Sequence, residues 1–453
     1  MIGTHRSVGP SLRPIARLVT VLSPLARRAC LLPALLVAVN AMATPAAAQR
    51  LSIADAVAMA QRDNHDLRLA RLGIDSAAAA IETAGAAPNP TLTLGVSGIN
   101  PNAGIGSGGL RSKSVDSSAR VDQVFERGGK RLLRLDNAAA LKVAAELDAA
   151  WASLQLDIAV AQASYDLLAA QERLVLLTQS TRLADAAMAA ARQRKQAGDL
   201  AGADVARLQV DALRFHNDAD LAGAEAARAR LALAQLLGHG DRPDAFALED
   251  DWPVVAAVTA PDVEAIVAGR ADVRAAQARA RAAAAASKLA LAARTRDFTV
   301  GVQYDHYPVT ATSTQGGGNS FGVAIQIPLF VRNQFDGEIR SAALAADAAD
   351  QTLARIRGAA LNEVLRLLTD QRSAGERLQR YETQILPAAK RSADAAEFAF
   401  DRGAIAIMDV LDVRRTYRQT QLEAIAVRAE HAKAAASVAQ LAATRDPEST
   451  ILK

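Results

Sequence analysis

Residues 298–307, FTVGVQYDHY, and residues 321–330, FGVAIQIPLF, decide how this 453-residue chain is read. In the first stretch Phe298, Val300, Val302 and Tyr304 alternate with Thr299, Gly301, Gln303 and Asp305. In the second, Phe321, Val323, Ile325 and Ile327 alternate with Gly322, Ala324 and Gln326. Period-two alternation predicts strands with one apolar and one polar face. A tilted strand of about nine to eleven residues also crosses a bilayer. The segment between them, 308–319, contains Gly316, Gly317 and Gly318 and reads as a hairpin loop.

The same signal occurs once before. TLTLGVS (91–97) sets Leu92, Leu94 and Val96 against Thr91, Thr93 and Ser97, and ARVDQVF (119–125) follows a loop rich in Gly, Ser and Asn. Ala-rich helical sequence flanks both hairpins. A helix is predicted over 51–86, with Asn64 and Arg71 interrupting its apolar spacing, and Pro88-Asn89-Pro90 stops it. Residues 130–197 hold neither proline nor glycine, and at 1.5 Å per residue they make a helix about 100 Å long. Gly198 ends it, a helix over 201–237 follows, and 238–261, with Pro243, Pro253 and Pro261, reads as a linker. Helices over 262–296, 333–401 (with Pro387 as a kink) and 404–443 then surround the second hairpin.

The halves match each other. At one offset Gly198 pairs with Gly403, Asp204 with Asp409, and Ala234-Gln235-Leu236 with Ala439-Gln440-Leu441. One residue further, Thr93-Leu94-Gly95-Val96 pairs with Thr299-Val300-Gly301-Val302. We read an internal duplication, with repeats over 49–237 and 262–443, a linker at mid-height and a tail over 444–453. Two short helices placed end to end match one long helix, so each long helix can be flanked along its whole length.

The first 48 residues carry five arginines and no acid; without them 47 basic residues face 48 acidic ones. That balance gives no basis for a nucleic-acid partner. Arg17, Arg27 and Arg28 before the apolar run 29–39, with Ala46-Ala47-Ala48 behind it, predict a secretory signal peptide over 1–48. Cys30 is the only cysteine, and Arg27 and Arg28 before it argue against lipidation. Cleavage after Ala48 leaves no thiol for a disulfide, a thiolate metal site or catalysis.

Four strands cannot close a membrane barrel, for which about eight are the minimum, and open edges in lipid leave backbone groups unsatisfied. The chain must therefore pool its strands with copies of itself, three giving twelve strands and two giving eight. QVFERGGKR (123–131) and IPLFVRNQ (327–334) both stand where a strand meets a long helix. In these stretches, and along nearly the whole mature chain, the sequence resembles the TolC-type outer-membrane efflux proteins. The PLF-x-RNQ form is most similar to the CzcC-like branch of cobalt–zinc–cadmium efflux systems.

The resemblance implies a mainly α fold with a small β part. It implies a homotrimer with a twelve-stranded β-barrel and an α-helical barrel, docked through a periplasmic adaptor to an inner-membrane RND-type pump. It further implies that the Gly198 and Gly403 turns form the periplasmic tip, and that Asp204, Asp409 and Asp412 are aperture candidates. Acidic rings favour cations, whereas the simpler reading is that Asp409 and Asp412 cap or solvate a helix start. Arg207 stands where the first repeat would repeat Asp412, and Phe400 and Ile405 stand where relatives hold closing contacts. Leu92, Leu94, Val96, Phe298, Val300, Val302, Phe321, Val323, Ile325 and Ile327 are expected to face lipid.

Other signals are weaker. Gly104, Gly106 and Gly109 spell G-x-G-x-x-G inside a loop, without the strand and helix that a dinucleotide site requires. His65, His216, His239, His306 and His431 lack metal-ligand spacing. No cofactor and no enzymatic activity are expected. The function expected is the exit duct of a proton-driven system exporting heavy-metal cations. The alternatives are a duct for drugs or secreted proteins and, from another class, a periplasmic coiled-coil rod.

Overall fold

The computed structural model describes residues 49–99, 102, 114–248, 252, 262–309 and 317–443. The signal segment, the G-x-G-x-x-G loop, half of the linker and the tail lie outside the described residues. In chain order the elements are β1 (Gln49–Leu51), α1 (Ile53–Asp63), α2 (His65–Gly85), β2 (Thr91–Ser97), β3 (Asp116–Phe125), α3 (Lys130–Ala197) and α4 (Gly202–Leu236). There follow β4 (Phe246–Leu248), α5 (Val263–Gly269), α6 (Ala271–Ala292), β5 (Phe298–Tyr307), β6 (Gly318–Gln326), α7 (Asp336–Arg380), α8 (Leu386–Asp401) and α9 (Ile407–Ala443). The protein is mainly helical with a small antiparallel sheet, as the sequence predicts.

Several expected helices are broken. The 51–86 helix stops at Asn64, whose Oδ1 accepts the N–H groups of Asp66 and Leu67 at 2.9 and 3.1 Å and so caps α2. Its Nδ2 donates to Leu236 O at 3.0 Å, which fixes the break against the end of α4. The 262–296 helix breaks at the matching position of the second repeat, Arg270. The 333–401 helix passes through a π-helical turn, Tyr381–Ile385, and Pro387 is the second residue of α8. Proline has no N–H to give and its ring crowds the carbonyl four residues back, so the regular ladder gives way there.

The 68-residue helix α3 is flanked by different partners along its length. Near its start Arg134 donates to Ala84 O of α2 and Asn137 donates to Ala282 O of α6 at 2.7 Å. Further along Gln162 reaches Ser437 of α9 and Thr181 reaches Phe215 O of α4. The largest apolar core lies at the middle of α3, where Leu156, Val160, Leu167 and Leu168 meet Ala56, Ala60, Leu233 and Leu237. There β1 pairs in parallel with β4, setting Leu51 and Leu248 into the same core. Trp252 stacks on Tyr165 with centroids 6.0 Å apart and donates to Glu172 at 3.1 Å. These described linker residues therefore pack at the middle of the long helix.

Candidate functional site

The sheet runs β2-β3-β5-β6, antiparallel throughout, and its register sorts the side chains. Leu92 stands opposite Val121, Val121 opposite Val302, and Val302 opposite Val323. Phe125 pairs with Phe298, Val300 with Ile325, and Tyr304 with Phe321. Directly paired residues share a face, so Leu92, Leu94, Val96, Phe298, Val300, Val302, Phe321, Val323 and Ile325 lie on one apolar surface. Leu94, Phe321 and Val323 are 73, 79 and 75 % exposed. Ile327 differs from expectation: β6 begins earlier, at Gly318, and ends at Gln326, one residue short of it. Pro328 follows, and proline cannot donate to a strand ladder.

The opposite face carries Thr93, Arg120, Asp122, Thr299, Gln303 and Asp305. Arg120 Nη2 pairs with Asp122 Oδ1 at 2.8 Å, and Gln303 donates to Asp305 at 2.8 Å. One end of the apolar face finishes in polar groups, where Asn319 Oδ1 accepts from Tyr304 at 2.9 Å and lies 2.8 Å from His306 Nδ1. An apolar band ending at tyrosine and histidine suits a membrane boundary. Within the sheet, β2 and β6 each leave an outer edge unpaired.

The two strand-to-helix junctions explain the sequence motifs found there. In the first, Asp297 accepts from the Arg127 N–H and from Lys130 Nζ, both at 2.8 Å, while Arg134 holds Glu126 with two hydrogen bonds. Gly129, at φ 68°, precedes α3. At the matching position before α7 stands Phe335, the only described non-glycine residue with positive φ, at 65°. The Phe335 N–H donates to Asn333 Oδ1 at 2.9 Å, and its ring meets Phe330 edge-on at 4.9 Å. The PLF-x-RNQ stretch thus supplies the residues that hold Phe335 in a left-handed conformation.

At the far end of the helices the two turns repeat each other. Gly198 has φ 86° and Gly403 has φ 72°. The next N–H in each returns to the helix: Asp199 to Arg194 O and Ala404 to Ala399 O, both at 2.9 Å. These are glycine-closed helix ends. Asp204 is half-buried in the first turn of α4. Asp409 accepts from the Ala406 N–H at 3.3 Å, which is a capping contact. Asp412 is exposed and pairs with Arg415 at 3.6 Å, and Arg415 also reaches Asp211 of α4 at 3.2 Å. Arg194 lies 5.9 Å over the ring of Phe400, linking the two turns.

Sequence reasoning missed Arg270. It is 2 % exposed, sits 4.5 Å over the ring of Trp151, and bonds Asp272 at 2.9 Å and Glu363 at 2.8 Å. Only the structure, where Arg270 stands at the position matching the helix break at Asn64, brings it out. Among the described residues no group of three His, Cys, Asp or Glu side chains is placed to hold a metal ion. Among the described residues no helix is long and apolar enough to cross a membrane.

A sheet with one exposed apolar face and two open edges, set at the end of paired helices, defines an outer-membrane channel protein. The chain belongs to the outer membrane efflux protein family, whose model matches residues 56–239 and 263–444. It is 26 % identical, over 412 residues, to the cobalt-zinc-cadmium resistance protein CzcC of Cupriavidus metallidurans, covering 86 % of this chain and 90 % of that one. Its fold matches crystal structures of CusC with a TM-score of 0.71 at 18 % identity, over 87 % of this chain and 93 % of CusC. It matches the outer membrane protein VceC of Vibrio cholerae with a TM-score of 0.70 at 19 % identity, over 86 and 96 % of the two chains.

Proposed function

We propose that three copies of this chain close a twelve-stranded barrel in the outer membrane and form the exit duct of a heavy-metal efflux system. The observation that carries the proposal is the four-stranded sheet, apolar on one face and unpaired at both edges. Each open edge in lipid would cost several kcal/mol per unsatisfied group, so edge must meet edge around a ring. The likeness to the cobalt-zinc-cadmium resistance protein supports divalent metal cations as cargo. In this reading a signal peptide over 1–48 is removed and the helices extend into the periplasm. The Gly198 and Gly403 turns meet an adaptor there, and the adaptor joins the duct to a proton-driven RND-type pump. Asp204, Asp409 and Asp412 lie beside those turns, where carboxylates would favour cations over anions.

Two measurements test the reading. Mass determination of the purified protein in detergent should give a trimer; a stable monomer overturns it. Deletion in the native host should sensitise cells to cobalt, zinc or cadmium and be rescued by the cloned gene. Sensitivity to drugs alone, with metal tolerance unchanged, overturns metal as the cargo.

A further inference from the structure

Arg418 extends from α9 into the space between α3, α4 and α8. Its guanidinium lies 4.1 Å over the Phe215 ring of α4, and its Nε and Nη1 are buried without a hydrogen-bond partner. Asp211 and Asp412 pair with Arg415, and Glu397 pairs with Arg414, while Asp218 acts on Arg418 electrostatically. Loss of water pushes the Arg418 pKa down, although Asp218 and Asp211 act against that and Arg415 adds to it. Arginine remains charged in proteins, so a cation with open donors stays inside the helix cluster. The matching residue of the first repeat is Leu213, which is exposed, so the packing shared by both repeats does not require this guanidinium.

Beside Arg418 is a cavity of about 330 Å³ with apolar walls from Leu176, Leu183, Leu208, Ala212 and Leu411. That volume lies within the range of about 300–1,000 Å³ typical of small-molecule sites, which combine apolar walls with few polar anchors. We propose that this cavity binds a small organic monocarboxylate, its carboxylate accepting from an open N–H of Arg418 and its apolar body filling the space between the helices. A charge-assisted hydrogen bond in a partly dehydrated site supplies the anchor. A multiply charged anion fits poorly, because Asp211, Asp394 and Glu397 also border the cavity and Arg414 and Arg415 are already paired.

Calorimetric titration of the purified protein in amphipol, with 2-naphthoate and its neutral amide as probes, tests this. One saturable naphthoate site per chain is expected, with the amide at least tenfold weaker. Arg418→Gln should weaken naphthoate at least tenfold, and Ala184→Phe, which fills the cavity, should abolish binding. Equal affinity for acid and amide overturns the proposal, as does the absence of saturable binding. The acid–amide comparison uses the unaltered protein and holds even if a variant fails to fold. None of these readouts depends on the protein acting as a channel.

Discussion

Gly301 of β5 stands directly opposite Asp122 of β3, and a Cβ at Gly301 would collide with Asp122 Oδ1 and come within 2.8 Å of Arg120 Nη2. The polar face of the sheet therefore keeps an ion pair lying over a glycine. Gly301→Ala should push aside two flexible side-chain ends without moving backbone. The expected cost is about 1 kcal/mol, near the top of the range for surface pairs because this one is partly buried. The apolar face should respond differently, because Arg at Val300, Val323 or Ile325 should cost about 2–4 kcal/mol if near mid-bilayer. Thr299→Arg, on the polar face, should escape that cost. Denaturant midpoints of protein folded into liposomes check the contrast, and equal losses on the two faces would reverse the facing proposed for the sheet.

The Gly198 and Gly403 turns offer open space, with nothing within 4 Å of a Cβ built at either. Any cost of substitution there comes from the backbone. Val at φ near +80° should cost about 1–2 kcal/mol, whereas Asn tolerates the left-handed region. If these turns dock an adaptor, the Val variants should lower metal tolerance at unchanged trimer yield, and the Asn variants should not. Measured metal tolerance equal to the parent in both Val variants would move docking elsewhere.

What the sequence revealed, and what it hid, follows from the range of the interactions. Strand faces were legible because alternation is local, and the register places nine of the ten expected residues on one surface. Only Ile327 strayed, because the periodicity carries on past the strand end that Pro328 imposes. The helix breaks at Asn64 and Arg270 were hidden because contacts that fix them lie far away in the chain. Asn64 is held by Leu236 O, and Arg270 by Trp151 and Glu363. The ion pairs around Asp412 and the open donors of Arg418 likewise depend on α4 and α9 meeting, which no spacing in the sequence encodes.

Asp157 of α3 is partly buried, with both carboxylate oxygens 2.9 Å from Gln61 Nε2. Burial raises its pKa more than Gln61 lowers it. A carboxyl with a raised native pKa disfavours the folded state when ionised, and that penalty disappears as pH falls to its unfolded value, about 3.9. Asp157→Asn should therefore stabilise the protein at neutral pH, with the gain shrinking as pH falls from the raised value toward about 4. Melting temperatures across that interval check the sign.

Arg270 joins three helices through one side chain, so its loss should be felt over the second repeat. Arg270→Ala would leave Asp272 and Glu363 without their partner and strip Trp151 of its cation. A fully buried pair broken this way costs about 3–5 kcal/mol; these acids are partly exposed, so about 2–3 kcal/mol is expected. Arg270→Lys should recover less than half of that, because an ammonium lacks the planar fork and stacks poorly. Full recovery by lysine, read from denaturant midpoints, would show that charge alone matters there.

Asp409 and Asp412 carry the contest between aperture and cap. Asp409 already bonds the Ala406 N–H, and Asp412 already has Arg415, so each has a local structural use. Three copies would nonetheless gather up to six carboxylates around one axis if both residues line the opening. Like charges held close favour bound cations or protons. Asp409→Asn with Asp412→Asn should then weaken block by divalent cations in single-channel recordings at unchanged trimer yield. The capping role alone predicts little change in helix stability, because asparagine also caps, and no change in block. Freeing Arg415 from Asp412 leaves it on Asp211, so the tie between α4 and α9 survives the double substitution. Block curves that superimpose on the parent's would leave the two aspartates with capping and pairing only, and would move cation selection to another ring of the duct.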